Sequence, residues 1–362
     1  MDNTIKKILE YSINNKASDI HLTLGEEPVF RIHGRLCKNE SFSPIKVDDF
    51  NSITRTVLPD KFKEYLTLHS ECDFSYTFNN EDDYSLMEYR FRGNLSYSSG
   101  NPMLVLRVIS PCIRNIKELS LPEKLEEVAM FRHGLFIITG PTGSGKSTTL
   151  AALITAINAK RDAHIITIED PVEYIFKSDK SLIHQKEIGT DADSFSGALR
   201  MAMRQDPDVI MIGELRDFET ISAAITAAET GHLVLCTLHT PDAPQSIDRI
   251  VDVFPPYQQQ QIRTQLSSVL IGVLSQQLIP AINGNGRVAA TELLLANNAV
   301  KNYIRENKTA QLYHVIQTGS VNGMHLMDQN IARLYKNSLI DKEAAIKYAH
   351  NTKDLETFIR NE

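Results

Sequence analysis

The residues best suited to chemistry lie in one short glycine-rich loop that matches the pattern G-x-x-x-x-G-K-[ST] at every fixed position. Glycine lets successive backbone N–H groups turn inward around a phosphate, and a helix N-terminus adds partial positive charge. In this pattern Lys146 would reach the β- and γ-phosphates, and the Ser147 hydroxyl would bind Mg²⁺. The predicted nucleotide-binding residues are Gly140, Pro141, Thr142, Gly143, Ser144, Gly145, Lys146, Ser147 and Thr148.

The flanking sequence favours a phosphate-binding loop over a flexible turn without a ligand. The apolar run "GLFIIT" before the loop predicts a buried strand, and "STTLAALITAI" after it predicts a helix. Strand, glycine-rich loop and helix N-terminus in this order are the context that phosphate binding requires. The sequence therefore predicts a site for a nucleoside triphosphate.

Hydrolysis also requires carboxylates, and acidic residues follow the neighbouring apolar runs. Glu169, Asp170 and Glu173 come after "AHIITI", Glu214 after "PDVIMI" and His239 after "HLVLCTL". Ligands of open α/β sheets bind beyond the carboxyl ends of the strands, so these groups should lie near the loop. One carboxylate must orient or deprotonate the attacking water. The residues alone leave open which of the three acids after "AHIITI" does so, and each could instead cap a helix or stay solvated.

The elements that must position these residues divide the chain into four parts. Residues 1–108 combine a short amphipathic helix with alternating runs such as "EPVFRIHGRL" and "CDFSYTF", which predicts an α+β domain. Residues 109–121 are predicted to form a linker, because the stretch from Ser110 to Glu123 carries two prolines and no clear period. Residues 122–296 alternate buried strands with helices, which predicts a parallel α/β sheet in a P-loop domain. Residues 297–362 predict a small helical subdomain.

The composition indicates a globular protein and argues against two classes of partner. The 362 residues are 42% hydrophobic and 23% charged, and they suffice for two domains. A net charge of −7 gives no overall positive field to attract nucleic acid or acidic lipid. No apolar run approaches the ~20 residues of a membrane span, and the N-terminus lacks a signal-peptide core. Four widely spaced cysteines without a CxxC pair predict thiols in a reducing cytoplasm rather than a zinc or redox site.

Four blocks of the sequence resemble the Walker A, Asp box, Walker B and His box motifs of the secretion ATPase superfamily. The blocks are "GPTGSGKSTTLAALI", "IITIEDPVEYIF", "ALRMAMRQDPDVIMIGELRDFETISAAITAAETGHLVLCTLHT" and "SIDRIVDVFP". Within this superfamily almost the whole chain is similar to the type IV pilus retraction ATPases. That similarity includes "ASDIHLTLGEEPVFRIHGRL" near the N-terminus and "AVKNYIREN" near the C-terminus.

The resemblance implies a RecA-like P-loop ATPase domain, an N-terminal PAS-like α+β domain and a small C-terminal helical tail. It implies that the general base is Glu173 rather than Glu169. By the same resemblance Glu214 takes the Walker B place and holds Mg²⁺ directly or through water. His232 and His239 take the His-box places.

The resemblance also assigns roles to several arginines. Arg92 in "RFRGN" and Arg107 in "VLRVI" match N-terminal arginines that reach the phosphates, whereas Arg90 and Arg114 match less closely. The alternative for Arg92 is a strand-face cation paired with an acid. Arg305, in "AVKNYIREN", is expected on the exposed face of a helix that couples the ring to the pilus machinery. The alternative is a helix that only covers the core.

The resemblance finally implies a cytoplasmic homohexamer, peripheral to the inner membrane, that uses ATP and Mg²⁺ and engages a pilus platform protein but no nucleic acid. An assembly, competence or secretion motor of the same superfamily remains open. The lack of a four-cysteine zinc insertion and of a long extra N-terminal domain favours retraction. A nucleic-acid motor would need basic loops and base-stacking aromatics, and the chain has no tryptophan. The intact acids disfavour a non-hydrolysing scaffold.

Overall fold

The chain folds into two compact units. The computed structural model describes residues 3–32, 34–59, 70–79, 88–109, 112–284 and 286–361. The first unit comprises Met1–Cys112 with Pro171–Ile175, and the second comprises Ile113–Asp170 with Phe176–Glu362. The segment Pro171–Ile175 therefore groups with the first unit, although the sequence placed it in the P-loop domain. The finer division into four parts stays a prediction, and Ser110 and Pro111 of the predicted linker lie outside the described residues.

The first unit is an antiparallel sheet with helices on one face. Its described elements are α1 (Asn3–Asn14), β1 (Ala17–Thr23), β2 (Val29–Ile32), β3 (Arg35–Lys38), α2 (Val47–Val57), β4 (Cys72–Asn79), β5 (Glu88–Ser98) and β6 (Asn101–Ile109). Among the described residues the strand order is β3-β2-β1-β6-β5-β4. The apolar stripe of α1 (Ile5, Ile8 and Leu9) is buried in the core of this unit, as its spacing predicts. The alternating runs around Phe30 and Phe74 form β2 and β4, which confirms the α+β prediction.

The second unit contains the expected sheet with its buried strands. Its sheet and the helices that cover it are built from α3 (Lys124–Val128), β7 (Gly134–Thr139), α4 (Lys146–Lys160), β8 (His164–Glu169), β9 (Leu182–Glu187), α5 (Phe195–Ala202), β10 (Val209–Ile212), α6 (Phe218–Glu229), β11 (Leu233–Thr237), α7 (Ala243–Asp252), α8 (Pro256–Val269), β12 (Leu270–Pro280) and β13 (Arg287–Leu295). The strand order over the described residues is β13-β12-β7-β11-β10-β8-β9. All neighbours pair in parallel except β12 and β13.

Both faces of the large sheet are covered, so its central strands are apolar throughout. Every residue of β7 is buried, with Leu135 and Ile137 in one apolar cluster and Phe136 and Ile138 in another. Strands buried on two faces lose the alternation of apolar and polar residues, which is why this run is continuous. The prediction of a parallel α/β sheet is confirmed.

Five helices follow the sheet within the described part of the chain: α9 (Asn298–Arg305), α10 (Leu312–Thr318), α11 (Met327–Lys336), α12 (Lys342–Tyr348) and α13 (Thr352–Asn361). Helix α9 packs on α8, and α11 packs on β13 and α13. Across the described residues, no helix has the length and apolar content needed to cross a membrane.

Candidate active site

The glycine-rich loop lies between β7 and α4 and packs tightly on β12. Gly140 and Gly145 have φ values of 140° and 92°, in the region that favours glycine. A Cβ on Gly140 would lie 2.2 Å from the backbone oxygen of Gln276, and one on Gly145 would lie 2.8 Å from its Nε2. The same glutamine side chain accepts a hydrogen bond from Thr149 Oγ1 at 2.7 Å. The loop therefore packs directly against Gln276. Glycine at these two positions allows that close approach, because it has no Cβ.

The packing of this loop predicts unequal effects of two alanine substitutions. Gly143 also has a positive φ, 78°, but a Cβ there would meet nothing within 4 Å. Both substitutions cost backbone strain, and Gly140→Ala adds an overlap with backbone atoms, worth ~1–3 kcal/mol. We expect Gly140→Ala to lower the free energy of unfolding by about 2 kcal/mol more than Gly143→Ala. Urea denaturation followed by circular dichroism measures this difference, and equal losses would contradict it.

Lys146 is buried under the loop and contacts the loop's own carbonyls. It is 9% exposed, and its Nζ donates to Gly140 O at 2.8 Å and to Pro141 O at 3.1 Å. Nearby, the buried Ser144 hydroxyl has no hydrogen-bond partner among the described residues. A buried hydroxyl without a partner is energetically unfavourable. A ligand in the loop could supply the missing hydrogen bond to Ser144.

His239 lies between Lys146 and Glu214, the acid that follows β10. His239 Nδ1 lies 3.5 Å from Lys146 Nζ, and its Nε2 lies 3.5 Å from Glu214 Oε2. The other oxygen of Glu214 is ion-paired with Arg216. Burial and the charge of Lys146 lower the pKa of His239, although Glu214 opposes that shift. Lysine, histidine and carboxylate therefore meet at the carboxyl ends of β10 and β11, as the sequence predicted for Glu214 and His239.

A cavity of about 140 Å³ lies beside the first turn of α4. Its lining includes Thr148 and Thr149 of that helix, Gln276 of β12, and two basic residues, Arg114 and Arg287. The cavity thus offers polar and positively charged groups next to the residues expected to bind phosphates.

Of the three acids after "AHIITI", Glu169 is held inside the sheet. It is buried, and its Oε1 accepts hydrogen bonds from Thr167 Oγ1 at 2.7 Å and from Gln185 Nε2 at 3.3 Å. Asp170 is exposed. The hydrogen bond to Glu214 raises the pKa of Arg216, and the charge of Asp170 adds to that shift. These contacts give Glu169 a structural role in joining β8 to β9.

Glu173 belongs to the segment Pro171–Ile175 of the first unit and is half-buried. The preceding residue, Val172, is anchored there by Arg90 of β5, whose Nε donates to the Val172 carbonyl at 2.6 Å. The same guanidinium donates to Ser75 and Thr77 of β4. Arg90 therefore holds the backbone next to Glu173.

His232 lies at the other end of its strand from His239. Its ring Nδ1 lies 2.8 Å from Ala227 O, and its backbone oxygen accepts a hydrogen bond from Gly134, the first residue of β7. His232 thus precedes β11 at the amino end of the strand, whereas Lys146 and His239 lie at the carboxyl ends. It contacts Ala227 and Gly134 there, and its His-box role stays a prediction.

Arg92 and Arg107 lie opposite each other on β5 and β6 of the first unit. Arg107 Nε forms an ion pair with Asp19 Oδ1 at 2.9 Å. Burial opposes ionisation of Asp19, but the hydrogen bonds from Arg107 and Ser18 outweigh it, so the pKa of Asp19 is lowered. Arg92 is exposed on the same face. The charge of Arg107 is therefore already paired with an acid. In the sequence analysis such a pairing was the alternative for Arg92 and not for Arg107.

Helix α9 is amphipathic, as its sequence predicts. Val300 and Ile304 are buried in the core of the second unit, whereas Arg305 is exposed. The Arg305 Nη2 donates to Asn302 Oδ1 of the same helix at 3.2 Å. We therefore expect the Arg305 side chain to contribute little to the stability of the fold.

Sequence reasoning missed three residues of the site: Arg216, Gln276 and Arg287. Arg216 had a visible signal, because it lies two residues after the acid at a strand end. Gln276 had a weaker one, since amides are unusual inside a buried strand. Arg287 donates to the Gly143 carbonyl at 3.4 Å across a separation in sequence that no local pattern reveals.

Known proteins are similar to this chain over nearly all of its length. The family model for type II/IV secretion system proteins matches residues 85–361. A twitching motility protein of Neisseria gonorrhoeae is 42% identical over 96% of this chain and 93% of its own length. The type IV pilus retraction ATPase PilT of Pseudomonas aeruginosa is 41% identical over 94% of this chain and 96% of its own. A crystal structure of the pilus retraction motor PilT with bound ADP has a TM-score of 0.89 at 44% identity, covering 98% of this chain and 100% of that one. The chain belongs to the family of type II/IV secretion system proteins.

Proposed function

We propose that this chain is an ATPase that powers retraction of type IV pili. One observation carries the proposal: a glycine-rich loop with a buried lysine lies beside a histidine and a carboxylate at the carboxyl ends of parallel strands. Phosphoryl transfer needs this combination of phosphate cradle, positive charge and acid. The similarity to a pilus retraction motor with bound ADP supports the same nucleotide class and the same work.

Each group of the loop has a defined task in this proposal. Backbone N–H groups of Gly143 to Ser147 surround the phosphates, and the N-terminus of α4 adds partial positive charge. Lys146 exchanges the carbonyls of Gly140 and Pro141 for phosphate oxygens, where charge-assisted hydrogen bonds are stronger. His239, which lies between the lysine and Glu214, would interact with the terminal phosphate.

The residues present fit a magnesium ion. Mg²⁺ prefers oxygen ligands, and it is commonly held by one or two protein groups together with substrate phosphates and water. Ser147 offers an exposed hydroxyl, and Glu214 offers a carboxylate beyond the carboxyl end of β10 in the same sheet. When bound, the ion would neutralise charge that develops on the phosphate oxygens. We propose Ser147 and Glu214 as its protein ligands, the second directly or through water.

We propose Glu173 as the general base and Arg92 as the arginine that stabilises the transferred phosphate. Glu169 is already engaged within the sheet, whereas Glu173 lies in a segment whose backbone Arg90 anchors. Arg107 is paired with Asp19, so the exposed Arg92 is the stronger of the two candidates. An arginine in this role is worth ~10³ to 10⁵ in rate in other NTPases.

We further propose that the working form is a homohexamer in the cytoplasm, at the inner membrane, where it engages a pilus platform protein. The names of the relatives place them in twitching motility and pilus retraction. Purified protein should hydrolyse ATP only with a divalent cation, and single-stranded DNA should leave the rate unchanged. Stimulation by DNA would indicate a nucleic-acid motor, and absence of turnover with bound ATP would indicate a scaffold.

Arg305→Ala tests whether helix α9 couples ATP hydrolysis to pilus retraction. The side chain is exposed and bonds only within its own helix among the described residues, so its loss should cost within ~0.5 kcal/mol of stability. We expect a hexamer with ordinary ATPase activity in solution, in cells that stay piliated and do not twitch. Twitching assays and electron microscopy of the cells measure both outcomes.

The matched control for this test is Arg360→Ala, which removes another exposed arginine from the last turn of α13. We expect cells with this variant to retract pili at the parental rate. Parental retraction by Arg305→Ala cells at equal protein level would leave α9 as a helix that only covers the core. Loss of pili in those cells would instead favour an assembly motor.

A further inference from the structure

Arg287 is a cationic side chain beside the glycine-rich loop, and the proposed chemistry gives it no task. It is the first residue of β13, which runs antiparallel to its neighbour β12. The amino end of β13 therefore lies at the same edge of the sheet as the carboxyl ends of the parallel strands, where ligands of open α/β sheets bind. Arg287 Nη1 donates to the Gly143 carbonyl at 3.4 Å. Arg287 thus reaches the loop from a strand that carries none of Lys146, His239 and Glu214.

The contact with Gly143 leaves most of the hydrogen-bonding capacity of the guanidinium unused. Its length exceeds the usual ~2.7–3.2 Å of an N–H···O bond. The Arg287 side chain is exposed and forms no other hydrogen bond and no ion pair among the described residues. A guanidinium carries five N–H donors in a planar fork, which matches the oxygens of a phosphate group. A phosphate is therefore a better acceptor for Arg287 than the single carbonyl of Gly143.

The cavity beside the first turn of α4 concentrates positive charge. Its ionisable lining residues are Arg114, Glu118 and Arg287. Arg114, like Arg287, forms no ion pair with any residue that the structure describes. Glu118 Oε2 accepts a hydrogen bond from the backbone N–H of Asn115 at 2.8 Å. Two cations thus accompany one acid, and the N-terminus of α4 adds partial positive charge, so the cavity favours an anionic ligand.

The cavity lies on the side of the loop away from the reacting phosphate. Strands β12 and β13 lie on one side of β7, whereas β11 and β10 lie on the other. Lys146 contacts His239 and Glu214 on the side of β11 and β10. The cavity is lined instead by Gln276 of β12 and Ala289 of β13.

This position selects one end of a bound nucleotide. In a loop of this type the lysine reaches the β- and γ-phosphates, and backbone N–H groups hold the α- and β-phosphates. With the terminal phosphate directed towards β10 and β11, the α-phosphate faces the cavity. The cavity volume of about 140 Å³ is smaller than the ~300–1,000 Å³ of pockets that enclose a whole small ligand. It therefore suits one part of the nucleotide.

We propose that Arg287 is a nucleotide-binding residue, which exchanges the carbonyl of Gly143 for an oxygen of the α-phosphate when a nucleotide binds. The inference rests on the proposed function, because it requires the loop to bind a nucleoside diphosphate or triphosphate. The α-phosphate is not transferred in ATP hydrolysis, so a contact with it is equal in the ground state and the transition state. Such uniform binding lowers KM and leaves kcat unchanged.

Arg287→Ala should weaken the binding of ADP and ATP alike. Loss of a charge-assisted contact should raise the Kd of each nucleotide about tenfold or more. The KM for ATP should rise by a similar factor while kcat stays within about twofold. Arg287→Lys keeps the charge without the planar fork and should recover part of the affinity. Equilibrium titration with fluorescent ADP and ATP analogues and steady-state phosphate release measure these quantities.

The matched control is Arg333→Ala, which removes an exposed arginine from α11. Arg333, too, has no ion pair within the described part of the chain. We expect this variant to equal the unchanged protein in Kd, KM and kcat.

Salt dependence separates a phosphate contact from a purely structural role of the bond to Gly143. The difference in Kd between Arg287→Ala and the unchanged protein should shrink in 1 M NaCl, where the Debye length is about 3 Å. If Arg287 only held the loop, Tm and kcat would fall together with affinity, and Arg287→Lys would not recover it.

Three results would overturn the inference. They are an unchanged Kd in Arg287→Ala, a loss confined to ATP, and a fall in kcat equal to the fall in affinity. The second would place Arg287 at the terminal phosphate. If the unchanged protein bound neither nucleotide, the proposed function would fail as well. Normal binding by Arg287→Ala in a protein that hydrolyses ATP would defeat this inference alone.

Discussion

Lys146→Ala is expected to remove both nucleotide binding and ATP turnover. The ammonium group meets the phosphates in the ground state and the transition state alike, so its loss weakens both. Two charge-assisted hydrogen bonds of ~1.5–3 kcal/mol each correspond to a loss of at least about 10²-fold in affinity. Binding of a fluorescent ATP analogue measures the affinity, and phosphate release measures the turnover.

Lys146→Ala also removes the bonds to Gly140 O and Pro141 O, so a control for the fold is needed. Lys160→Ala serves as that control, because it removes an exposed lysine from the other end of α4 that pairs with Glu126 on the surface. Such a pair contributes ~0–1 kcal/mol, and we expect normal binding and turnover. Normal ATP affinity in a folded Lys146→Ala protein would exclude the phosphate-binding function of the loop.

The features that could be predicted from the sequence are those with a local cause. The loop requires glycine at position 140, because the φ of this residue is 140° and β12 packs against it. Such requirements fall on residues close together in the sequence, so they are visible there as a motif. The strand β7 is buried on both faces, which leaves a continuous apolar run. Glu214 and His239 follow such runs, so their meeting at one edge of the sheet followed from the direction of parallel strands.

The parts that could not be predicted depend on contacts between distant segments. Nothing near Gln276 in the sequence indicates that it supports the glycine-rich loop, and nothing near Glu292 indicates that it accepts a hydrogen bond from the first residue of α7. His232 is a different case. Its place before an apolar run indicates the amino end of the strand, where the structure has it, and its His-box role depends on the resemblance alone.

The three acids after β8 show where tertiary contacts add to the sequence. Glu169 and Glu173 are equivalent as residue types, and only the resemblance separates them in the sequence. In the structure Thr167 and Gln185 hold Glu169 within the sheet, and Arg90 holds the backbone beside Glu173. The candidate base is therefore the acid whose position depends on a strand far away in sequence.

Glu173→Gln is expected to separate binding from chemistry. The amide keeps the size of the side chain and much of its hydrogen bonding, but it cannot accept a proton from the attacking water. ATP should bind within threefold of normal affinity, while kcat falls by ~10² or more. Equilibrium binding and single-turnover hydrolysis, measured on the same preparation, give the two quantities.

Glu169→Gln is the matched control, because it makes the same change four residues earlier in a buried structural acid. The amide oxygen can still accept from Thr167, so we expect at most a few-fold change in kcat together with some loss of stability. A Tm measured for both variants separates loss of fold from loss of chemistry. If Glu169→Gln abolished turnover in a folded protein and Glu173→Gln did not, the general base would be the acid inside the sheet. The bonds from Thr167 and Gln185 would then serve to orient a catalytic group rather than to join two strands.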